Sequence, residues 1–150
     1  MTASFRHLAL VVPDLRAAEA YYRAVFGMDL IGREARLGDG LWYTLPPDKG
    51  WEDADAAGVD LGMVALRTDG VVLALFKGDA SPGQVYVVGL TMSPEEIVDV
   101  RARLPEAAEV RRSAPDYLEF HDPYQITWQI SAPGSEFRSS GPAAGRWLQL

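Results

Sequence analysis

Only two positions in this sequence carry a histidine that could do chemistry. His7 opens the apolar run HLALVV, and His121 lies in FHDPYQITWQI near the end of the chain. A histidine at the start of a strand can ligate a metal, accept a proton or contact a bound molecule, or it can be a hydrogen-bonded structural residue. The sequence has no cysteine, so thiolate metal sites and disulfides are excluded.

A second group of candidates is aromatic. Trp42, Tyr43 and Trp51 lie at residues 38–58, where glycines and prolines predict a long loop with a helical turn at 51–57. Long loops often carry binding residues, so this one could close over a ligand. Aromatic residues are also enriched in interfaces, and a structural role or a dimer interface is the open alternative.

The composition of the chain limits the kinds of molecule that these residues could bind. The chain has 150 residues, of which 48% are apolar, enough for the core of one domain or two small fused modules. A net charge of −7 argues against nucleic acid and is compatible with a cationic or neutral small ligand. No apolar run has the length of a membrane span and the N-terminus lacks a signal-peptide stretch, so we expect a cytoplasmic protein without a membrane partner. The lack of cysteine would also suit an exported protein, which is the open alternative.

The elements that must position these residues occur twice in the same order. Residues 5–78 read as a strand, a helix and three strands, the last two joined by the hairpin turn Asp69-Gly70. A linker is predicted at 79–84, and residues 85–131 repeat the order, with a capping box opening the helix. The predicted fold class is α+β, in which two βαβββ modules form a curved mixed sheet around a cup and the helices lie outside it. The tail, residues 132–150, is predicted to be poorly ordered.

Both ends of this pattern resemble the vicinal oxygen chelate superfamily, which includes glyoxalase I, extradiol dioxygenases and the bleomycin-resistance proteins. HLALVVPDLRAAEAYYRAVFGM is similar to the family's opening strand, Asp-Leu turn and helix ending in an aromatic residue and glycine. FHDPYQITWQI is similar to the closing hairpin Phe-x-Asp-Pro-Asp-Gly-Asn-x-x-Glu. Here Asp122 is predicted to fix the turn through its side chain. Because Tyr124-Gln125-Ile126 replaces Asp-Gly-Asn, we expect a different turn backbone.

The resemblance also implies where a metal would be held. Metal-binding members take ligands from the first and last strands of each module, and these positions fall on His7, Ala74, Val87 and Gln129. Alanine and valine donate no lone pair, and glutamine brings no charge, whereas a stable divalent site needs at least three protein ligands. We therefore predict no metal and no other cofactor.

The inward orientation of those four positions, carried along each strand, predicts the lining of the cup. It consists of apolar walls and a polar strip, the balance that is typical of small-molecule pockets. With the aromatic residues of the loop, the predicted ligand-binding residues are His7, Trp42, Tyr43, Trp51, Ala74, Phe76, Val87, Tyr117, Glu119, Thr127 and Gln129. The alternate residues Leu118, Phe120, Ile126, Trp128 and Ile130 are predicted to pack under the helices.

Three functions are compatible with this lining. A metal-free binding protein would hold an aromatic or cationic small molecule between aromatic faces and Glu119. A glyoxalase- or dioxygenase-like enzyme would need a Lewis acid, or else Glu119 or His7 as general base, and the sequence assigns no catalytic residue. A dimerisation module with an empty cup is the third. The sequence favours binding, and we expect a homodimer because family members often share the cup between chains.

Overall fold

The computed structural model describes residues 7–79, 85 and 87–134. The first module contains β1 (Leu8–Val12), α1 (Leu15–Phe26), β2 (Asp29–Arg36), β3 (Trp42–Thr44), α2 (Trp51–Ala56), β4 (Met63–Thr68) and β5 (Val71–Lys77). The second contains β6 (Val88–Thr91), α3 (Pro94–Arg103), β7 (Glu109–Ala114), β8 (Tyr117–His121) and β9 (Thr127–Ser131). The predicted pair of βαβββ modules is confirmed, with β3 and α2 added to the first.

Each module builds its own sheet, and the strands pair alike in both. Sheet one has the order β1-β5-β4-β2-β3, with β1 parallel to β5 and the other pairs antiparallel. Sheet two has the order β6-β9-β8-β7, with β6 parallel to β9 and the other pairs antiparallel. Apart from β3, the two orders are equivalent strand by strand, so the repeat of elements in the sequence is also a repeat in space.

Two elements differ in detail from their prediction. The predicted loop contains β3, which pairs with β2 and extends the sheet. Its three residues are too few to show the alternation by which a strand is recognised in a sequence. The strand predicted at 85–92 is shorter, because β6 spans only Val88–Thr91. Most of the predicted linker, residues 80–84, and the tail beyond residue 134 lie outside the described residues.

The helices begin where their capping residues predict. The Asp14 carboxylate accepts a hydrogen bond from the Ala17 amide at 2.9 Å, and α1 ends at Gly27, whose φ is 64°. In α3, the Ser93 hydroxyl accepts from the Glu96 amide and the Glu96 carboxylate accepts from the Ser93 amide. Within the described parts of the chain, no helix is long and apolar enough to cross a membrane.

The two modules share one core, which α1 joins together. This helix contacts β4 and β5 of its own sheet, and its aromatic side chains reach into the second module. The rings of Phe26 and Tyr22 lie 4.9 and 5.9 Å from that of Trp128. The residues predicted to pack under the helices are all buried, namely Leu118, Phe120, Ile126, Trp128 and Ile130. Since side chains alternate along a strand, the opposite face of each sheet, here called its outer face, points away from this core.

The turn between β8 and β9 is built around Asp122, as predicted. Its Oδ1 accepts hydrogen bonds from the amides of Tyr124 at 2.8 Å and Ile126 at 3.0 Å. Its Oδ2 accepts from the Tyr22 hydroxyl at 2.6 Å and the Trp128 indole at 2.7 Å. One buried carboxylate therefore shapes the turn and ties it to α1.

The turn keeps a conformation that favours glycine although no glycine is present. Gln125 has a φ of 68°, in the left-handed region, at the position that is glycine in the family pattern. Gln125 thus adopts a conformation that a glycine takes without strain, and the expected difference from the family's turn backbone stays a prediction. The network around Asp122 holds the residues on both sides of Gln125 in place, which explains how the strained residue is kept.

Candidate ligand-binding site

The four positions that the resemblance assigns to the family's metal ligands are equivalent in the two modules. Ala74 pairs with Ala9, two residues after His7. Gln129 pairs with Gly89, two residues after Val87. The same offset in both modules supports the assignment of these positions, which was made from the sequence.

The side chains at these positions do not fit a divalent metal. Ala74 and Val87 have no donor atom, and the Gln129 amide nitrogen is already bonded to Glu119. Among residues 7–79, 85 and 87–134, no three His, Cys, Asp or Glu side chains are grouped so that they could hold a metal ion. This donor set lacks the three ligands, carboxylates among them, that a hard or borderline divalent metal requires.

A connected polar cluster occupies the outer face of sheet two. Glu119 and Gln129 are directly opposite each other on β8 and β9. The Glu119 Oε2 accepts hydrogen bonds from the Tyr117 hydroxyl at 2.7 Å and from the Gln129 amide at 2.9 Å. The Arg112 guanidinium lies 5.4 Å from the centre of the Tyr117 ring. At one end of the cluster, His121 Nδ1 lies 3.2 Å from Thr127 Oγ1.

Electrostatics hold the central carboxylate of this cluster in its charged form. The hydrogen bond from Tyr117 lowers the pKa of Glu119, and the bond from Gln129 and the nearby Arg111 and Arg112 act in the same direction. Burial and the bond to Glu119 raise the pKa of Tyr117 to about 12. At neutral pH the site therefore contains an ionised carboxylate next to a neutral phenol.

The cluster leaves two acceptor atoms for a ligand. Within the described structure, neither Oε1 of Glu119 nor the side-chain oxygen of Gln129 has a hydrogen-bond partner. Both residues are only partly buried, and neither oxygen is among the buried unpartnered atoms of the described residues, so solvent reaches both. A molecule with N–H or O–H donors, and above all one with a positive charge, would satisfy both.

The outer face of sheet one is mostly apolar. Ala74 and Phe76 of β5 pair with Ala65 and Met63 of β4, and all four are partly buried. Trp42 of β3 lies beside them, with its ring 5.9 Å from that of Phe76 in an edge-to-face arrangement. His7, directly before β1, is exposed. This face therefore offers an apolar floor with one aromatic wall.

Tyr43 and Trp51 are on the other side of sheet one, so the predicted loop does not act as a single lid. Tyr43 pairs with Ala35, which is buried against α2, and its hydroxyl donates to Asp39 at 2.6 Å. Trp51 opens α2 and its indole donates to the buried Glu19 of α1 at 2.8 Å. Of the three aromatic residues, only Trp42 is on the same face as Ala74 and Phe76.

Val87 belongs to neither of these groups and lines a groove elsewhere in the structure. A groove of about 640 Å³ runs between the start of β1, the β4–β5 turn and β6, and Val87 lines it with Leu8 and Leu90. The structure thus brings Tyr117, Glu119, Thr127 and Gln129 together, and Trp42 with Ala74 and Phe76. It does not bring those two sets together within one chain. Each belongs to an outer face, and the shared core separates the two sheets.

Two residues beside these groups, Arg112 and Gly62, were not predicted from the sequence. Arg112 lies opposite Glu119 because a bulge between Val110 and Arg112 shifts the register of β7 against β8. Simple alternation along β7 cannot reveal such a shift. Gly62 approaches the Trp42 ring closely, and its only signal in the sequence is a glycine at the start of a predicted strand.

The chain belongs to the Glyoxalase/Bleomycin resistance protein/Dioxygenase superfamily, whose profile matches residues 4–130. Three solved structures illustrate the shared fold, and at identities this low the likeness concerns the fold alone. The fosfomycin resistance protein FosX from Listeria monocytogenes is 14% identical, with a TM-score of 0.62 over 91% of this chain and 96% of that one. FosX from Mesorhizobium loti is 12% identical, with a TM-score of 0.60 over 96% and 99%. TioX from Micromonospora sp. ML1 is 16% identical, with a TM-score of 0.57 over 87% and 98%. No curated protein matches the chain in sequence.

Proposed function

We propose that this protein binds a small aromatic or cationic molecule in a cup that has lost the family's metal site. The observation that carries the proposal is the ionised Glu119, whose Oε1 has no hydrogen-bond partner among the described residues. The side-chain oxygen of Gln129, which donates its amide to Oε2 of Glu119, likewise has none. Ala74 stands where a metal-binding relative has a ligand, and the face around it is apolar. Two of the solved structures with this fold are named for fosfomycin resistance, and this is compatible with a resistance role, whether by an enzyme or by a binding protein.

Catalysis is the second candidate, favoured by one observation. Glu119 and Tyr117, a base and a neutral phenol, lie 2.7 Å apart and could exchange protons with a substrate. The lowered pKa of Glu119 makes it a weak base, however, and this supports binding over turnover. The two candidates are distinguished by incubating the protein with a compound that it binds and analysing the mixture by mass spectrometry. A binding protein would leave the compound unchanged, whereas an enzyme would convert it to a product of different mass or structure.

The proposed cup is completed by a second copy of the chain. One chain presents an apolar half on sheet one and a polar half on sheet two, which the shared core keeps apart. A homodimer in which the two halves of different copies face each other would enclose a ligand. We expect light scattering to give twice the chain mass of 16.4 kDa. A monomer at tens of micromolar would contradict a shared cup.

The absence of a bound metal remains a prediction of this proposal. With only His7 and Gln129 as donors at the four family positions, we expect elemental analysis of protein purified without chelator to show no stoichiometric zinc, nickel, iron or manganese. One metal per chain that is lost in His7→Ala would contradict it. A metal held by His7 should be absent from that variant, whereas an adventitious metal should be present in both proteins.

Binding itself is tested with benzamidine, a flat cation, and benzamide, its neutral counterpart. We expect Glu119→Gln to weaken benzamidine binding about three- to tenfold, the modest effect of a partly exposed charge, with little change for benzamide. The difference should shrink as salt is added. Nuclear magnetic resonance titrations measure such weak affinities. Glu106→Gln removes the same charge at an exposed position between α3 and β7 and serves as the matched control. The proposal would be overturned if Glu119→Gln and Glu106→Gln lost the same affinity for benzamidine, or if the wild type did not bind benzamidine.

A further inference from the structure

We infer that the Trp42 ring is a fixed aromatic wall of the ligand site, positioned by Gly62 and Phe76, and that the ligand group it takes is a flat ring. The inference rests on the proposed function and narrows the class of ligand. Under this inference, sheet one discriminates between flat and puckered ligands. The Glu119 cluster on sheet two recognises positive charge and hydrogen-bond donors.

Trp42 reaches the outer face through β3, the strand that interrupts the βαβββ order. It pairs with Arg36 at the edge of the sheet, so its side chain projects on the face that also bears Phe76. The two rings meet at 76° with their centres 5.9 Å apart. Edge-to-face contacts of this kind favour one relative orientation of the rings, so Phe76 restricts how the indole can turn.

Gly62 supplies the surface against which the indole lies. A Cβ at this position would be 3.4 Å from both Cη2 and Cζ3 of Trp42, which is van der Waals contact. The Gly62 backbone cannot retreat, because its amide donates to the Glu34 carbonyl at 2.9 Å and its carbonyl accepts from the Lys77 amide at 3.0 Å. A methyl group at position 62 would touch the ring, and any longer side chain would displace it.

The rest of the indole is open to a ligand. Trp42 is 42% exposed although Phe76 and Gly62 cover part of it. An indole held at a set angle is a preorganised stacking surface, and a flat aromatic ring or flat cation gains more from it than a puckered saturated ring does. Ala74 adds no charge on the side of Phe76, so contact there discriminates by shape, whereas Arg36 and Glu34 of β2 lie on the other side of the ring.

The test compares benzamidine with cyclohexanecarboxamidine, which carries the same amidinium on a puckered ring. We expect the wild type to prefer benzamidine about three- to tenfold. Trp42→Leu and Gly62→Leu should each reduce the preference to near unity, because benzamidine should lose more affinity than cyclohexanecarboxamidine does. Gly62→Ala is the matched control and should keep the preference. In the wild type, benzamidine should shift the indole N–H resonance that disappears in Trp42→Leu.

The outcomes separate this inference from the function on which it rests. If the wild type binds both amidines equally and Glu119→Gln weakens both, the flat-ring inference fails and the binding function stands. If neither amidine binds, both fail. If Trp42→Leu abolishes the preference and Gly62→Leu keeps it, the positioning role of Gly62 is overturned. Phe76→Leu replaces Gly62→Leu should the latter not fold, since it removes the edge-to-face contact and should also reduce the preference.

Discussion

Asp122→Ala is expected to destabilise the protein by about 4 kcal/mol and to lower the melting temperature by roughly 8–16 °C. The variant deprives four donors of their acceptor, two backbone amides in the turn and the side chains of Tyr22 and Trp128. Each donor left unpaired in the core costs about 1–3 kcal/mol before the structure relaxes. Urea and thermal unfolding measure the loss.

Two further variants separate the Asp122 network from a simple change of charge. Asp122→Asn keeps one acceptor oxygen, so its free energy of unfolding should fall by less, about 2 kcal/mol. Asp99→Ala removes a carboxylate from the exposed face of α3 and should change stability by less than about 0.5 kcal/mol. If Asp122→Ala resembled Asp99→Ala, the network would not hold the turn to α1.

Glu19→Gln is expected to destabilise by about 3 kcal/mol, because it leaves a nearly buried guanidinium without its counter-ion. Glu19 is 4% exposed. It accepts from Arg33 at 2.6 and 2.8 Å, from Arg23 at 3.1 Å and from the Trp51 indole at 2.8 Å. The carboxylate thus joins α1, β2 and α2, and chemical unfolding measures what that junction contributes. Glu52→Gln is the control, because its ion pair with Arg16 is exposed and should contribute less than about 0.5 kcal/mol.

The same residue makes stability depend on pH. Burial raises the pKa of Glu19, but the hydrogen bonds from Arg33 and Trp51 and the charge of Arg33 outweigh it, and the pKa lies below its ordinary 4.5. The unfolded chain therefore binds the proton more readily. The stabilisation is complete above about pH 4.5 and is lost as pH falls through the folded-state pKa. Glu19→Gln should lack this part of the acid dependence, and an unchanged pH profile would contradict the assignment.

The sequence by itself determined the repeated βαβββ order, the caps of α1 and α3, the Asp122 turn and the buried face of β8 and β9. These depend on local rules, since capping involves residues three apart and alternation follows from the backbone of a single strand. The absence of a carboxylate or histidine at Ala74 and Val87 could also be read directly, because a missing donor atom does not depend on packing.

Only the tertiary structure decided which of the predicted site residues meet. The sequence placed Trp42, Tyr43 and Trp51 in one loop, but the pairing of β3 with β2 turns Trp42 and Tyr43 to opposite faces, and the buried Glu19 binds Trp51. Likewise, α1 packs against both sheets, and this separates the apolar half of the site from the Glu119 cluster. Such choices depend on many weak contacts between residues far apart in the chain, and no local pattern records their sum.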